Sequence, residues 1–345
     1  MTAFRLTKIP YLPLRLILQC MDVMELIDLS LLSKNVNFAA ISLHRPANKV
    51  HWRIHLPLTF KIEMFLEPWT RIVFQLGPVA TKSLPRRLNG EDIPTKRQAK
   101  TFTFKLQPDT NRNLSLLDGI TKHTLAIFDV KSFELSTDAK VFDKSIFTST
   151  PKFEKICLEN LTLSVAEARM LFEKEVGRLL LRVTEVDTPE AMDFTLKHQS
   201  VEMDNGNWLT FYSILSMDCE SLEIGMRRPN STRSMNNVQI KDFVDFIRKW
   251  NSGGLDNLRV FKMKIPLHLI LCILSGKALT TIIIRRSTMA VRIWESLLCN
   301  HTVRIGDKTI QREDGRRAHI VIGGNFVFTV DPKSISRPAP LPVQQ

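Results

Sequence analysis

The chain has 345 residues, 44% hydrophobic and 24% charged, a globular balance with apolar material for a sizeable core and length enough for two domains. Lysine and arginine outnumber aspartate and glutamate 48 to 35, a formal net charge of +13. The excess is spread along the sequence, which points to a well-mixed basic surface ahead of a polyanion partner.

Residues 9–43 read as three short helices. Pro13 suits a first helical turn, and Leu14, Ile17, Leu18 and Met21 follow at helical spacing as one apolar stripe. Asp22 stands three residues before Glu25, a capping-box pattern that opens a second helix. That helix is apolar nearly all round, with Met24, Ile27 and Leu31 on one line and Leu26 and Leu29 on another. A third runs from Lys34 to Leu43 with Val36, Ala39, Ala40 and Leu43 inward. Three alternating runs come next, through Val50–Leu56, Phe60–Leu66 and Ile72–Leu76, with Pro57 and Glu67–Pro68 marking the turns. Their period of two predicts an antiparallel meander with one wet face. Residues 77–100 are loop-like, punctuated by Pro78, Pro85, Gly90 and Pro94, and carry the densest basic cluster: Lys82, Arg86, Arg87, Lys96, Arg97 and Lys100. Phe102, Phe104 and Leu106 restart a strand.

From about 110 the pattern becomes helix followed by strand. Val165–Val176 and Leu179–Val183 form one such unit, Trp208–Met217 and Leu222–Ile224 a second, Ile240–Trp250 and Leu258–Ile265 a third, with the alternating Lys155–Leu163 before them. The strands recur at roughly 41 and 38 residues, which suggests an irregular leucine-rich-repeat-like stack. An ordinary α+β layer gives the same string. Near the end, Thr309–Gln311 and His319–Ile322 flank Asp314–Gly315 as a hairpin, and Phe326–Phe328 is a last strand after Gly323–Gly324. The stretch 332–345 is Pro- and Gln-rich and is expected to be disordered.

No signature of chemistry emerges. A phosphate-binding GxxxxGK[ST] loop and a GxSxG elbow are both absent. His51 and His55 are spaced for a helical metal pair, but they lie in an alternating run, where a strand holds them about 13 Å apart. Glu91–Asp92 and Glu313–Asp314 fall in turns. Trp208, Trp250 and Trp294 and the 20 phenylalanines follow core periodicity, not the basic–aromatic interleaving of nucleic-acid platforms. Five scattered cysteines include no CxxC pair, so neither a zinc site nor a disulfide framework is indicated, and free thiols suit the cytoplasm or nucleus. Pro10 and Pro13 break the early apolar run against a signal peptide, and the best apolar run, Ile265–Leu274, is too short to cross a membrane and contains Pro266 and His268. The reading is therefore no enzyme, no cofactor and no metal.

The first 43 residues carry more apolar side chains than a three-helix module can bury within itself, so some must meet the rest of the chain or another protein. Leu6-x-x-Ile9-Pro10-x-x-Pro13-Leu14-x-x-Ile17-Leu18-x-x-Met21-Asp22-x-Met24-Glu25-Leu26-Ile27-x-Leu29-Ser30-Leu31-x-Ser33-Lys34 resembles the F-box, particularly its nematode variety, with Phe4 as the early aromatic. Ile9 replaces the usual leucine before Pro10, and Asn-Val-Asn-Phe follows Lys34 in place of the usual basic stretch and tryptophan. The remainder resembles the Caenorhabditis F-box-associated domain of type 2. The meander, the segment Phe246-Ile247-x-x-Trp250-x-x-Gly253-Gly254-Leu255-x-x-Leu258, and the hairpin Asp307-x-x-Ile310-x-Arg312-x-Asp314-Gly315-Arg316-x-Ala318 carry that likeness.

The resemblance implies an α+β fold with a three-helix F-box at 4–43, a mixed α/β substrate-recognition domain at 50–331 and a tail at 332–345. It implies a substrate adaptor of an SCF-type (Skp–cullin–F-box) ubiquitin ligase, whose partners are a Skp-type adaptor, a cullin through it, and a target protein. Ile9, Pro10, Leu14, Ile17, Leu18, Met24, Leu26 and Leu29 are then the expected adaptor face. The target face is not located; a concave strand surface and the basic stretch at 82–100 are candidates. The rival readings are a scaffold outside ubiquitin transfer that self-associates through the helices, and a basic nucleic-acid-binding protein.

Overall fold

The computed structural model describes residues 9–56, 59–66, 70–80, 83–88, 91–188, 190–226, 235, 238–265, 306–322 and 325–335. Within these the fold is mixed α/β, in two compact units, Met1–Ile156 and Cys157–Gln345. The expected boundary after residue 43 does not separate compact bodies, because the N-terminal helices and the meander share the first unit. Phe4 and Leu6, most of the 265–274 run, and Trp294 lie outside the described residues.

The first unit opens with α1 (Tyr11–Cys20), α2 (Val23–Ser30) and α3 (Lys34–Ile41). Asp22 caps α2 by accepting from the Met24 amide at 2.8 Å, and Ser33 caps α3. The chain then makes β1 (Arg45–His55), β2 (Thr59–Leu66) and β3 (Thr70–Gly77), the predicted antiparallel meander, with Trp52 opposite Ile62 and Ile62 opposite Phe74. The expected loop at 77–100 is instead a hairpin of β4 (Pro85–Leu88) and β5 (Glu91–Gln98). Pro85 lies on the outermost strand, and Pro94 opposite it precedes the Thr95–Gln98 stretch that pairs with Thr101–Phe104, so neither missing amide interrupts that inner ladder. β6 (Thr101–Lys105) runs parallel to β3, and the Phe74 and Phe102 rings stack at 5.5 Å.

Helix α4 (Thr110–Ile127) is capped by Asp109, and β7 (Phe128–Thr137) pairs parallel with β1. Strand order in this unit is β4-β5-β6-β3-β2-β1-β7. α4 covers one face, where Trp52 Nε1 donates to Thr121 Oγ1 at 3.1 Å within a buried layer of Ile54, Ile62, Phe74 and Phe104. The short α5 (Ser145–Thr148) brings Phe147 against Phe142 and Phe153. β8 (Lys152–Glu159) carries the chain into the second unit.

That unit contains β9 (Thr162–Ser164), α6 (Val165–Glu173), β10 (Glu175–Arg182), β11 (Glu185–Asp187), β12 (Ser200–Met203), α7 (Phe211–Leu215), β13 (Ser221–Ile224), α8 (Ile240–Asn251) and β14 (Val260–Lys264). Strands β10, β12, β13 and β14 are parallel and in register, so that Leu179, Val201, Leu222 and Phe261 form one buried row. The three expected helix–strand units are present. Between the first two lies β12, too short and too polar at Ser200 and Glu202 to read as a strand. Trp208 precedes α7 instead of opening it. β15 (Gly306–Gln311), β16 (Arg317–Ile322) and β17 (Asn325–Val330) close the sheet, with Gly315 in the left-handed region at the predicted turn. Phe243, Phe246 and Trp250 of α8 interleave with Phe326 and Phe328 of β17. The expected tail begins with a helical turn, α9 (Pro332–Ile335), where the Ser334 hydroxyl oxygen accepts from the Arg317 amide; 336–345 lie outside the described residues.

Candidate docking face on the N-terminal helices

The three helices are fastened to the rest of the first unit by polar ties. Arg45, at the start of β1, donates to the carbonyls of Leu18, Gln19 and Met21 at 2.8–3.1 Å and so closes the C-terminal end of α1. Asp28 on α2 receives Arg86 at 2.7 Å and Arg97 at 3.3 Å. Arg86 is 5% exposed and acts as an internal fastener, while Arg97 reaches the same carboxylate from the surface. The Arg87 amide of β4 donates to the Leu31 carbonyl at 2.9 Å, and Ser30 meets His123 of α4 at 2.9 Å.

Packing settles where the expected adaptor residues stand. Leu14, Leu18, Met24 and Leu26 are at most 4% exposed, so the protein itself covers them and they have almost no surface to give a partner. Ile9 and Leu29 are half-buried, and Pro10 and Ile17 are exposed. The outward face of α1 is made by residues the sequence reading passed over: Tyr11, Leu12 and Leu16, with Phe38 of α3 beside them. Leu12 and Leu16 are 69% and 64% exposed, Phe38 70%, and the Tyr11 and Phe38 rings lie 6.1 Å apart. Leu12 and Leu16 share the i, i+4 spacing of the buried Leu14–Leu18 pair. Two parallel leucine lines on one helix were therefore legible; which of them faces inward was not.

Elsewhere the described residues offer little chemistry. They include no group of three or more His, Cys, Asp and Glu side chains placed to hold a metal, and no helix long and apolar enough to cross a membrane. On the sheet face of the first unit away from α4, Glu63 is 1% exposed and accepts ion pairs from Lys61 at 2.9 Å, Arg53 at 3.3 Å and Arg71. Lys49 pairs with Glu134 at 2.8 Å, which raises the Lys49 pKa, while burial lowers that of His51 to about 4. His51 and His55 are on a strand, as expected, and His51 faces Glu134 at 3.5 Å. Asp314 of the end hairpin is bound by Arg312 and Arg316, and Arg312 also reaches Asp256 at 2.7 Å, so this carboxylate is a structural anchor. In the second unit His198 is buried among Phe172, Phe194 and Trp208, and burial pushes its pKa down to about 4.

Comparison with protein-family models, with curated proteins and with solved structures finds no match for the chain.

Proposed function

We propose that the chain is a substrate-recognition adaptor of an SCF-type ubiquitin ligase, binding a Skp-type adaptor through α1–α3 and a target protein through the remainder, with the transfer chemistry left to other subunits. The carrying observation is the apolar face of Tyr11, Leu12, Leu16, Ile17 and Phe38 on helices whose other sides are already packed and tied. Large side chains left in water on a firmly seated module mark a partner site, and the F-box-like run in residues 6–34 names the partner's class. The type 2 F-box-associated likeness of the rest supports target presentation, in the cytoplasm or nucleus. Arg53, Lys61, Arg71, Arg86 and Arg97 are engaged by carboxylates of the chain, which leaves less free charge on these strands for a nucleic acid.

The test is co-expression with a Skp-type adaptor and co-purification at stoichiometric ratio. Leu12→Asp/Leu16→Asp places charges on the outward face and is expected to abolish the complex while circular dichroism and thermal midpoint stay unchanged. Leu14→Asp/Leu18→Asp buries charges and is expected to unfold the module. A natural chain that stays folded and alone sinks the reading. If that chain elutes as a dimer and Leu12→Asp/Leu16→Asp returns it to a monomer, the same face serves self-association.

A further inference from the structure

A cleft of about 320 Å³ opens in the first unit where the end of α2, the start of α3, strand β4 and α4 converge. Its polar wall consists of Ser30, Ser33, Lys34, Asn37, Arg87, Lys122 and His123, and no aspartate or glutamate lines it. Three sequence-distant elements each contribute one cation: α3 gives Lys34, β4 gives Arg87 and α4 gives Lys122. Lys122 is paired one turn away with Asp118 at 3.0 Å, outside the lining. Lys34 and Arg87 have no carboxylate partner among the described residues, whereas Arg86 and Arg97 of the same hairpin are held by Asp28. The Arg87 backbone is pinned by the hydrogen bond its amide donates to the Leu31 carbonyl, so its guanidinium starts from a fixed point at the rim.

Hydroxyl and imidazole chemistry completes the wall. Ser30 Oγ lies 2.7 Å from the Ile27 carbonyl and 2.9 Å from His123 Nε2. With the serine proton given to Ile27, the imidazole donates from Nε2 and remains neutral. Three cations around one cleft, with no carboxylate in its lining, make an anion the complementary ligand. A compact doubly charged oxyanion accepts from guanidinium and ammonium at once, the pairing in which charged hydrogen bonds are strongest.

We infer that this cleft binds a phosphate-type dianion carried on a small molecule. The site is separate from the outward face of α1, and nothing in the adaptor reading requires it. Its volume exceeds a single phosphate, so both an inorganic diphosphate and a phosphomonoester with a small organic group fit the chemistry. Calorimetric titration of the full chain with pyrophosphate, and separately with phenyl phosphate, at fixed ionic strength tests it. Binding is expected, about tenfold weaker for each cation removed in Lys34→Gln and in Lys34→Gln/Arg87→Gln. Lys96→Gln/Lys100→Gln removes the same charge from exposed positions outside the cleft and is expected to bind like the natural chain. Tighter binding of pyrophosphate identifies an inorganic source, and tighter binding of phenyl phosphate an organic ester. No binding of either probe, or an equal loss in the two double variants, overturns the inference. Adaptor co-purification is read independently, so failure of one result leaves the other standing.

Discussion

Glu63 lies 1% exposed beneath Arg53, Lys61 and Arg71, and this single carboxylate is what lets three cations crowd one patch of sheet. Glu63→Gln keeps the shape and removes the charge, which leaves three cations facing each other. The cations left behind are partly exposed and screened, so the loss is about 1 kcal/mol. Urea unfolding should show that loss at low salt, and a smaller one in 0.5 M salt as screening relieves the repulsion. The buried histidines set an acid limit. Burial lowers the pKa of His123 and of His198 from the ordinary 6.5 to about 4. The folded chain therefore binds fewer protons than the unfolded chain between those values. Stability is full above pH 6.5 and falls as the pH drops toward 4, by on the order of 2–3 kcal/mol for each group. Unfolding free energies at pH 7 and pH 5 should differ, and His123→Gln/His198→Gln should narrow the difference.

Three strand ends in the second unit solve one problem with three different residues. Asn160 after β8, Val183 after β10 and Gly225 after β13 all have positive φ, at 52°, 51° and 70°. Glycine and asparagine tolerate that conformation; a β-branched valine is strained in it. Val183→Asn should therefore raise stability by about 1 kcal/mol, seen as a higher urea midpoint with an unchanged slope. A variant no more stable than the natural chain would mean that Val183 packing outweighs its backbone strain. Element type was well legible wherever periodicity was strong: the meander, the end hairpin and the helix–strand units follow from apolar spacing alone. β4 and β5 were missed because prolines and charges hide the alternation Arg86-in, Arg87-out, Leu88-in, where the inward arginine is neutralised by Asp28. β12 was missed because four residues carry too little pattern. The outward face of α1 was missed for a different reason. Two leucine lines on one helix are chemically alike, and only tertiary packing decides which one is covered.

At the scale of the molecule, the sequence suggested a helical module followed by a separate domain, whereas the compact units divide near residue 156, within β8. The ties that cause this are long-range ones: Arg45 to the end of α1, Arg86 to Asp28, and the Arg87 amide to Leu31. None has a local signal, because each joins residues more than 25 positions apart through a backbone carbonyl or a charged side chain. β4 is the outermost strand of its sheet, four residues long and opened by Pro85. The end of α2 occupies one of its outward hydrogen-bonding positions. A chain shortened to begin at Arg45 loses that cover along with the partners of Arg86 and Arg97, and light scattering should show it self-associating where the full chain does not. The truncation uncovers a sheet edge and strips the buried Arg86 of its counter-charge at once, so the shortened product becomes a client of chaperones and proteases.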